Sequence, residues 1–174
     1  MEIRDARPDD ARILHELAAR TFPLATPPGA TQANIDDFIA RNLSETSFDG
    51  YLVDPARFLF IAEADGVAVG YTMLVLGEPK DTDVSAAITV RPTIELSKVY
   101  VVPEQHGAGV AAALVAATVE RARELGAAGI WLGVNQLNDR ANRFYEKTGF
   151  ARVGTKQFLV GDNWEDDFVR ELVL

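Results

Sequence analysis

The stretch from Glu95 to Leu114, ELSKVYVVPEQHGAGVAAAL, constrains this chain's fold more than any other. Glu95 to Val102 alternates and then runs apolar, with β-branched side chains and a tyrosine, which predicts a strand. Pro103 ends it, because proline has no amide to give to a ladder. Gly107 and Gly109 follow, and Val110-Ala-Ala-Ala-Leu-Val then opens a helix rich in the strongest helix former. Strand, glycine turn and helix N-terminus together aim unpaired amides at one spot. That spot is also the positive end of the helix dipole, so it suits a phosphate or pyrophosphate.

Two kinds of site use this construction. Gly107-Ala-Gly109-Val-Ala-Ala112 satisfies the G-x-G-x-x-A dinucleotide fingerprint. That fingerprint also needs an acid about 20 residues on, at the end of the next strand, to hold a ribose. The next predicted strand, about Ala128 to Val134, is followed by Asn135, Gln136 and Leu137 and offers none, which reads against NAD. The alternative fits better. V-Y-V-V-P-E-Q-H-G-A-G-V-A-A-A-L resembles the acyl-CoA-binding motif of the GNAT (Gcn5-related) N-acetyltransferases, in which V-x-P is followed by Q/R-x-x-G-x-G/A and a helix. His106 stands at the Gln/Arg position, Gly109 at the first glycine and Ala111 at the Gly/Ala position. The histidine departs from the pattern. Since amides make most pyrophosphate contacts in such a loop, the exchange is expected to tune affinity rather than abolish binding.

The remaining chain is consistent with one domain over residues 1–174, about 48% hydrophobic. No apolar run is long enough for a membrane span, and Met-Glu-Ile-Arg-Asp is unlike a signal peptide, so a cytoplasmic location is the expectation. Without cysteine there is no thiolate nucleophile or thiolate metal site, and two histidines leave no histidine-rich metal site. A net charge of −9 reads against a nucleic-acid surface. It suits either a cationic substrate or plain solubility.

Met1 to Arg7 predicts a short strand, and Pro8-Asp9-Asp10 the start of a helix with Ile13, Leu14, Leu17 and Ala18 inward. Thr21 to Ala30, with three prolines and a glycine, predicts a loop, and Thr31 to about Leu43 a helix with Ile35, Phe38, Ile39 and Leu43 inward. Phe58 to Ala64 and Val67 to Leu76 flank Asp65-Gly66 as a hairpin. Glu78 to Pro92 predicts a polar loop, within which Val84 to Val90 carries no assignment. Asn138 to Thr148 predicts a helix closed by Gly149. Ala151 to Val160 and Phe168 to Leu174 predict two strands joined by an acidic turn, Gly161 to Asp167. This order implies an α/β (α+β) fold with a mixed, mostly antiparallel sheet of about seven strands and helices on both faces, the order seen in GNAT enzymes.

Asn138-Asp-Arg-Ala141-Asn-Arg-Phe144-Tyr145-Glu-Lys-Thr-Gly149-Phe150 is similar to a second GNAT segment, N-x-x-A-x-x-F-Y-x-x-x-G-F. Asn138 and Tyr145 lie two helical turns apart on one side, with Ala141 between them. The resemblance implies acetyl-CoA as cosubstrate and an acetyl group passed directly to a primary amine. It makes Tyr145 the general acid for the CoA thiolate and gives Asn138 a hydrogen bond to the CoA arm. Pantetheine and the thioester carbonyl would lie along Val99, Tyr100 and Val101. The pyrophosphate would lie on His106, Gly107, Ala108, Gly109, Val110, Ala111 and Ala112. On residue type alone Tyr145 is equally a core aromatic, Asn138 a helix N-cap and Tyr100 a packing residue.

The amine must lose a proton before attack. Glu95, placed by period two on one strand face with Ser97, Val99 and Val101, is the sequence's choice of base through a water chain. Its other reading is a solvent-facing strand-edge carboxylate. Relatives that acetylate ribosomal-protein N-termini carry a glutamate where this chain has Gly133, in W-L-G-V-N. Ile130-Trp-Leu-Gly-Val, F-Y-x-K-x-G-F and E-L-x-K-V-Y-V look more like the spermidine/spermine branch, which implies a small amine or polyamine acceptor. Asp162, Glu165, Asp166 and Asp167 would attract a polycation or simply be solvated. The other readings are a peptide or protein amine and an acyl-CoA-binding module without catalysis. Many proteins of this fold pair, so a homodimer is expected, though no segment specifies its interface.

Overall fold

The computed structural model describes residues 1–174, through which one seven-stranded sheet runs in the order β1-β2-β3-β4-β5-β7-β6. In chain order the elements are β1 (Glu2–Asp5), α1 (Ala11–Ala25), α2 (Gln32–Asn42), α3 (Glu45–Val53), β2 (Arg57–Ala64), β3 (Val67–Leu76) and α4 (Thr82–Ala87). Then come β4 (Thr93–Val101), α5 (Val110–Glu124), β5 (Gly129–Asn135), α6 (Asp139–Lys147), β6 (Ala151–Val160) and β7 (Asn163–Val173). The mixed, mostly antiparallel sheet is as expected, and so is the hairpin. Asp65 at φ 52° and Gly66 at φ 76° close it with the left-handed pair that a two-residue turn requires.

Helices cover both faces. Neighbouring residues of β3 show it: Tyr71 packs edge-on to Phe48 of α3, centroids 5.7 Å apart, while Thr72 Oγ1 lies 2.9 Å from Thr118 Oγ1 of α5. Phe48, Tyr71, Leu14 and Leu114 are all fully buried. Each such side chain contributes about 2 kcal/mol by leaving water. No helix is long and apolar enough to cross a membrane.

Four elements differ from expectation. Helix α1 continues to Ala25, because Pro23 in its last turn gives up only its own amide bond. Helix α3 was not expected. Ser44 caps it, accepting from the Ser47 amide at 3.0 Å, but Gly50 interrupts its pattern and Phe48 is its only buried residue. Val84 belongs to the short α4, capped by Asp81, within the segment expected as loop. Finally β7 begins at Asn163, so Glu165, Asp166 and Asp167 are strand residues and not a turn. Alternation leaves Asp166 exposed and turns Glu165 and Asp167 inward.

The only parallel pairing positions the site. β4 and β5 match at Thr93–Gly129, Ile94–Ile130 and Glu95–Trp131 and no further. Beyond that, β5 stays with β7 and β4 with β3, so a wedge opens between Leu96–Val101 and Leu132–Asn135. A bulge at Ser97 (Met73 opposite Lys98, Leu74 opposite Leu96) resets the alternation of β4. Glu95 therefore does not share a face with Val99 and Val101, as strict period two implied. It stands with Lys98 and Tyr100, while Leu96 and Val99 pack toward α5 and β5.

Candidate active site

Two cavities meet at the wedge. One, of ≈ 400 Å³, is lined by Val99, Val101, the turn at Gly107 and Gly109, the first residues of α5, and Arg140, Phe144 and Tyr145 of α6. The other, of ≈ 310 Å³, lies on the α1–α2 side and takes in Glu95, Lys98, Tyr100, Trp131, Asn138, Lys156, Glu165 and Asp167. Val99, Ala141 and Tyr145 line both. Tyr145 thus stands at the junction.

The first cavity is built largely from backbone. Gly107 (φ 83°) and Gly109 (φ 82°) are both left-handed, a conformation that costs any other residue energy, and they turn the chain into α5. The first helical bond runs from Ala113 N–H to Gly109 C=O at 3.0 Å, so the amides of Val110, Ala111 and Ala112 precede it and face outward. Along β4, the Val102 amide bonds Val69 on the β3 side, and the Val101 carbonyl points the other way. Val99 and Val101 therefore present backbone groups to the wedge, where an extended ligand arm can pair with them as a strand would.

His106 bonds the Val101 carbonyl through Nε2 at 2.8 Å and meets the Arg140 guanidinium through Nδ1. Arg140 was missed in the sequence because its motif position is an unspecified x. It puts a cation beside the turn.

Helix α6 is pinned by polar contacts. Asn138 caps it, its Oδ1 accepting from the Ala141 amide at 3.1 Å. Asn142 donates to the carbonyls of Asn135 and Asn138, both at 3.0 Å, and its Oδ1 accepts from Arg170 Nε at 3.1 Å. Tyr145 is then held between Phe144 and Phe150, with centroids 5.3 and 5.7 Å away. Burial, with a smaller effect of Tyr100, pushes its phenol well above the ordinary value, so it keeps its proton at neutral pH.

In the second cavity, burial raises Glu95, opposed mainly by the Lys98 charge, and lowers Lys98 to about 8. Burial raises Tyr100 to about 12, with the Asp167 charge adding to it. Asp167 was expected only in a solvated or polycation-attracting turn, yet it is 6% exposed on the cavity wall. Burial raises it to about 6, against the lowering pull of Lys156.

The sequence-derived residues thus divide. Val99, Val101, His106, Gly107, Gly109, Val110, Ala111, Ala112 and Tyr145 gather in the first cavity. Glu95, Tyr100 and Asn138 line the second. Ala108 lines neither. Asn138 Oδ1 is occupied as a cap, which leaves its amide nitrogen for a ligand.

Known proteins match this architecture. An uncharacterized N-acetyltransferase of Mycobacterium tuberculosis is 46% identical over 166 residues, covering 94% of this chain and 99% of the relative. A mycothiol acetyltransferase of Parafrankia is 31% identical over 142 residues, 78% of this chain and 42% of the relative. Among solved structures, the PaiA N-acetyltransferase of Thermoplasma acidophilum in complex with coenzyme A shares the fold at TM-score 0.79 and 19% identity, covering 99% of this chain and 98% of its own. The profile of the acetyltransferase (GNAT) family matches residues 13–150. With that match and these relatives, the chain belongs to the GNAT family of N-acetyltransferases.

Proposed function

We propose that this chain moves the acetyl group of acetyl-CoA to the primary amine of a small molecule, with polyamines the leading class, by direct attack and with Tyr145 as general acid. The observation that carries the reading is the position of Tyr145 between an amide-lined cavity and a carboxylate-bearing one. An acyl carrier with its phosphates at the Gly107–Ala112 turn and its arm along Val99 and Val101 brings its sulfur toward that junction. An amine entering through the second cavity meets the thioester from the opposite side. The departing sulfur then takes the phenol proton of Tyr145.

The second cavity suits an ammonium ion: its carboxylates, Glu95, Glu165 and Asp167, outnumber its lysines, Lys98 and Lys156. Glu95, the base chosen from sequence, stands on this wall. The test is release of free CoA from acetyl-CoA with spermidine, spermine, amino acids, antibiotics and N-terminal peptides. Saturable release with a polyamine supports the whole reading, and release with peptides alone moves the acceptor to a peptide or protein amine. Tight acetyl-CoA binding with no release for any amine favours a binding module.

A further inference from the structure

A buried carboxylate on β7 has so far been given only a share in the ammonium-attracting charge of the second cavity. Asp167 is 6% exposed, and the charge that offsets it, that of Lys156, acts without a hydrogen bond. Its position follows from an absent side chain. A Cβ added at Gly133 would lie 3.1 Å from Asp167 Oδ2 and 3.3 Å from Lys156 Cδ, so the carboxylate extends into space that a residue on β5 leaves free. Asp167 is in register with Asn135, at the open end of the wedge. Glu95 is in register with Trp131, where the strands are still paired.

We propose that Asp167 takes the proton from the acceptor amine, while Glu95 helps to hold the ammonium. The inference rests on the acetyl-transfer reading. The ammonium gives one proton to the Asp167 carboxylate, and the nitrogen lone pair forms the C–N bond at the thioester carbonyl carbon. The C–S bond breaks, and sulfur takes the Tyr145 proton. The second nitrogen proton restores the phenol, and Asp167 returns its own to solvent. The sum is R–NH₃⁺ and acetyl-CoA giving the amide, CoA–SH and H⁺.

The surroundings agree. Lys156 faces Asp167 from β6, Glu165 and Asp166 flank it on β7, and Tyr100, Glu95 and Lys98 line the same cavity from β4. The Asp167 charge adds to the burial that raises Tyr100, which lines the same cavity. A group near 6 is ionised at pH 7 and still basic enough to remove a proton.

The experiment is kcat/KM against pH for the panel amine that turns over fastest, in the wild type, Asp167→Asn, Glu95→Gln and Lys156→Gln, with acetyl-CoA affinity as a folding check. The wild type should lose activity on the acid side with a midpoint near 6. Asp167→Asn should lose about 10²-fold at pH 7 and flatten that limb, with acetyl-CoA binding intact. Lys156→Gln should move the limb to higher pH, because the lysine holds Asp167 down, a shift that no merely structural role predicts. An Asp167→Asn enzyme with wild-type rate and limb overturns the proposal. If that variant does not fold, an unmoved limb in Lys156→Gln overturns it instead. Failure of the wild type to release CoA with any amine overturns the transfer reading itself.

Discussion

His106 holds two partners that are far apart in sequence: it donates Nε2–H to the Val101 carbonyl at 2.8 Å and accepts at Nδ1 from the Arg140 guanidinium. The carbonyl can only accept and arginine can only donate, which together put the ring proton on Nε2 and leave Nδ1 as the acceptor. The contact anchors a cation of α6 beside the amide turn, at the position where the family pattern carries Gln or Arg. Arg140→Ala should therefore raise the Kd for acetyl-CoA about tenfold, the worth of one charge-assisted hydrogen bond, and raise KM with kcat unchanged. His106→Gln should stay within a few-fold of wild type. Titration calorimetry with acetyl-CoA at two salt concentrations measures both, and an unaltered Kd in Arg140→Ala removes the residue from the cofactor site.

Tyr145→Phe keeps the ring between Phe144 and Phe150 and removes only the proton donor. We expect kcat to fall by about 10²-fold with acetyl-CoA affinity within about twofold. Steady-state kinetics paired with direct binding tests this, and unchanged turnover takes Tyr145 out of the mechanism.

The sheet and the cofactor turn were legible because their signals are local. A D-G turn, a glycine pair before an alanine-rich helix, and a capped amphipathic segment are each written in a few adjacent residues. What stayed hidden depends on register. The bulge at Ser97 moved Glu95 off the Val99 face, and no residue type announces a bulge. Asp167 read as part of a polar turn because β7 is rich in acids, and only its pairing with Asn135 and the empty position at Gly133 reveal it as a cavity group. Arg140 needed His106, 34 positions away, to acquire a role.

Acid stability should be sensitive to Asp10. This buried carboxylate accepts from Arg4 Nη1 at 2.7 Å and from the Arg7 amide at 2.6 Å, tying β1 to the start of α1. The Arg4 hydrogen bond is the main cause of its lowered pKa, opposed by burial. A lowered folded-state pKa stabilises fully above the unfolded value of about 3.9 and is lost as pH falls through the folded value. Asp10→Asn should cost about 2 kcal/mol at pH 7, and the gap from wild type should begin to narrow below about pH 4 and close only as the pH falls through the lowered folded-state value. Urea unfolding at a series of pH values from 7 down to about 2 checks it, and a gap that does not change with pH refutes the assignment.

The sheet and α5 are joined by a hydroxyl pair whose two members should not be equivalent. Thr118 Oγ1 donates to the Leu114 carbonyl at 2.7 Å, so its contact with Thr72 Oγ1 at 2.9 Å is one in which Thr72 donates. Both threonines are fully buried. Thr118→Val removes the only acceptor of the Thr72 hydroxyl and leaves that donor unsatisfied, which costs about 1–3 kcal/mol. Thr72→Val leaves Thr118 bonded to Leu114 and should cost under about 1 kcal/mol. The double variant has no orphan left, so it should be more stable than Thr118→Val alone, an outcome that additive contacts forbid. Urea midpoints of the three variants decide it, and equal costs for the two single changes would show that the donor direction is not the one these distances imply.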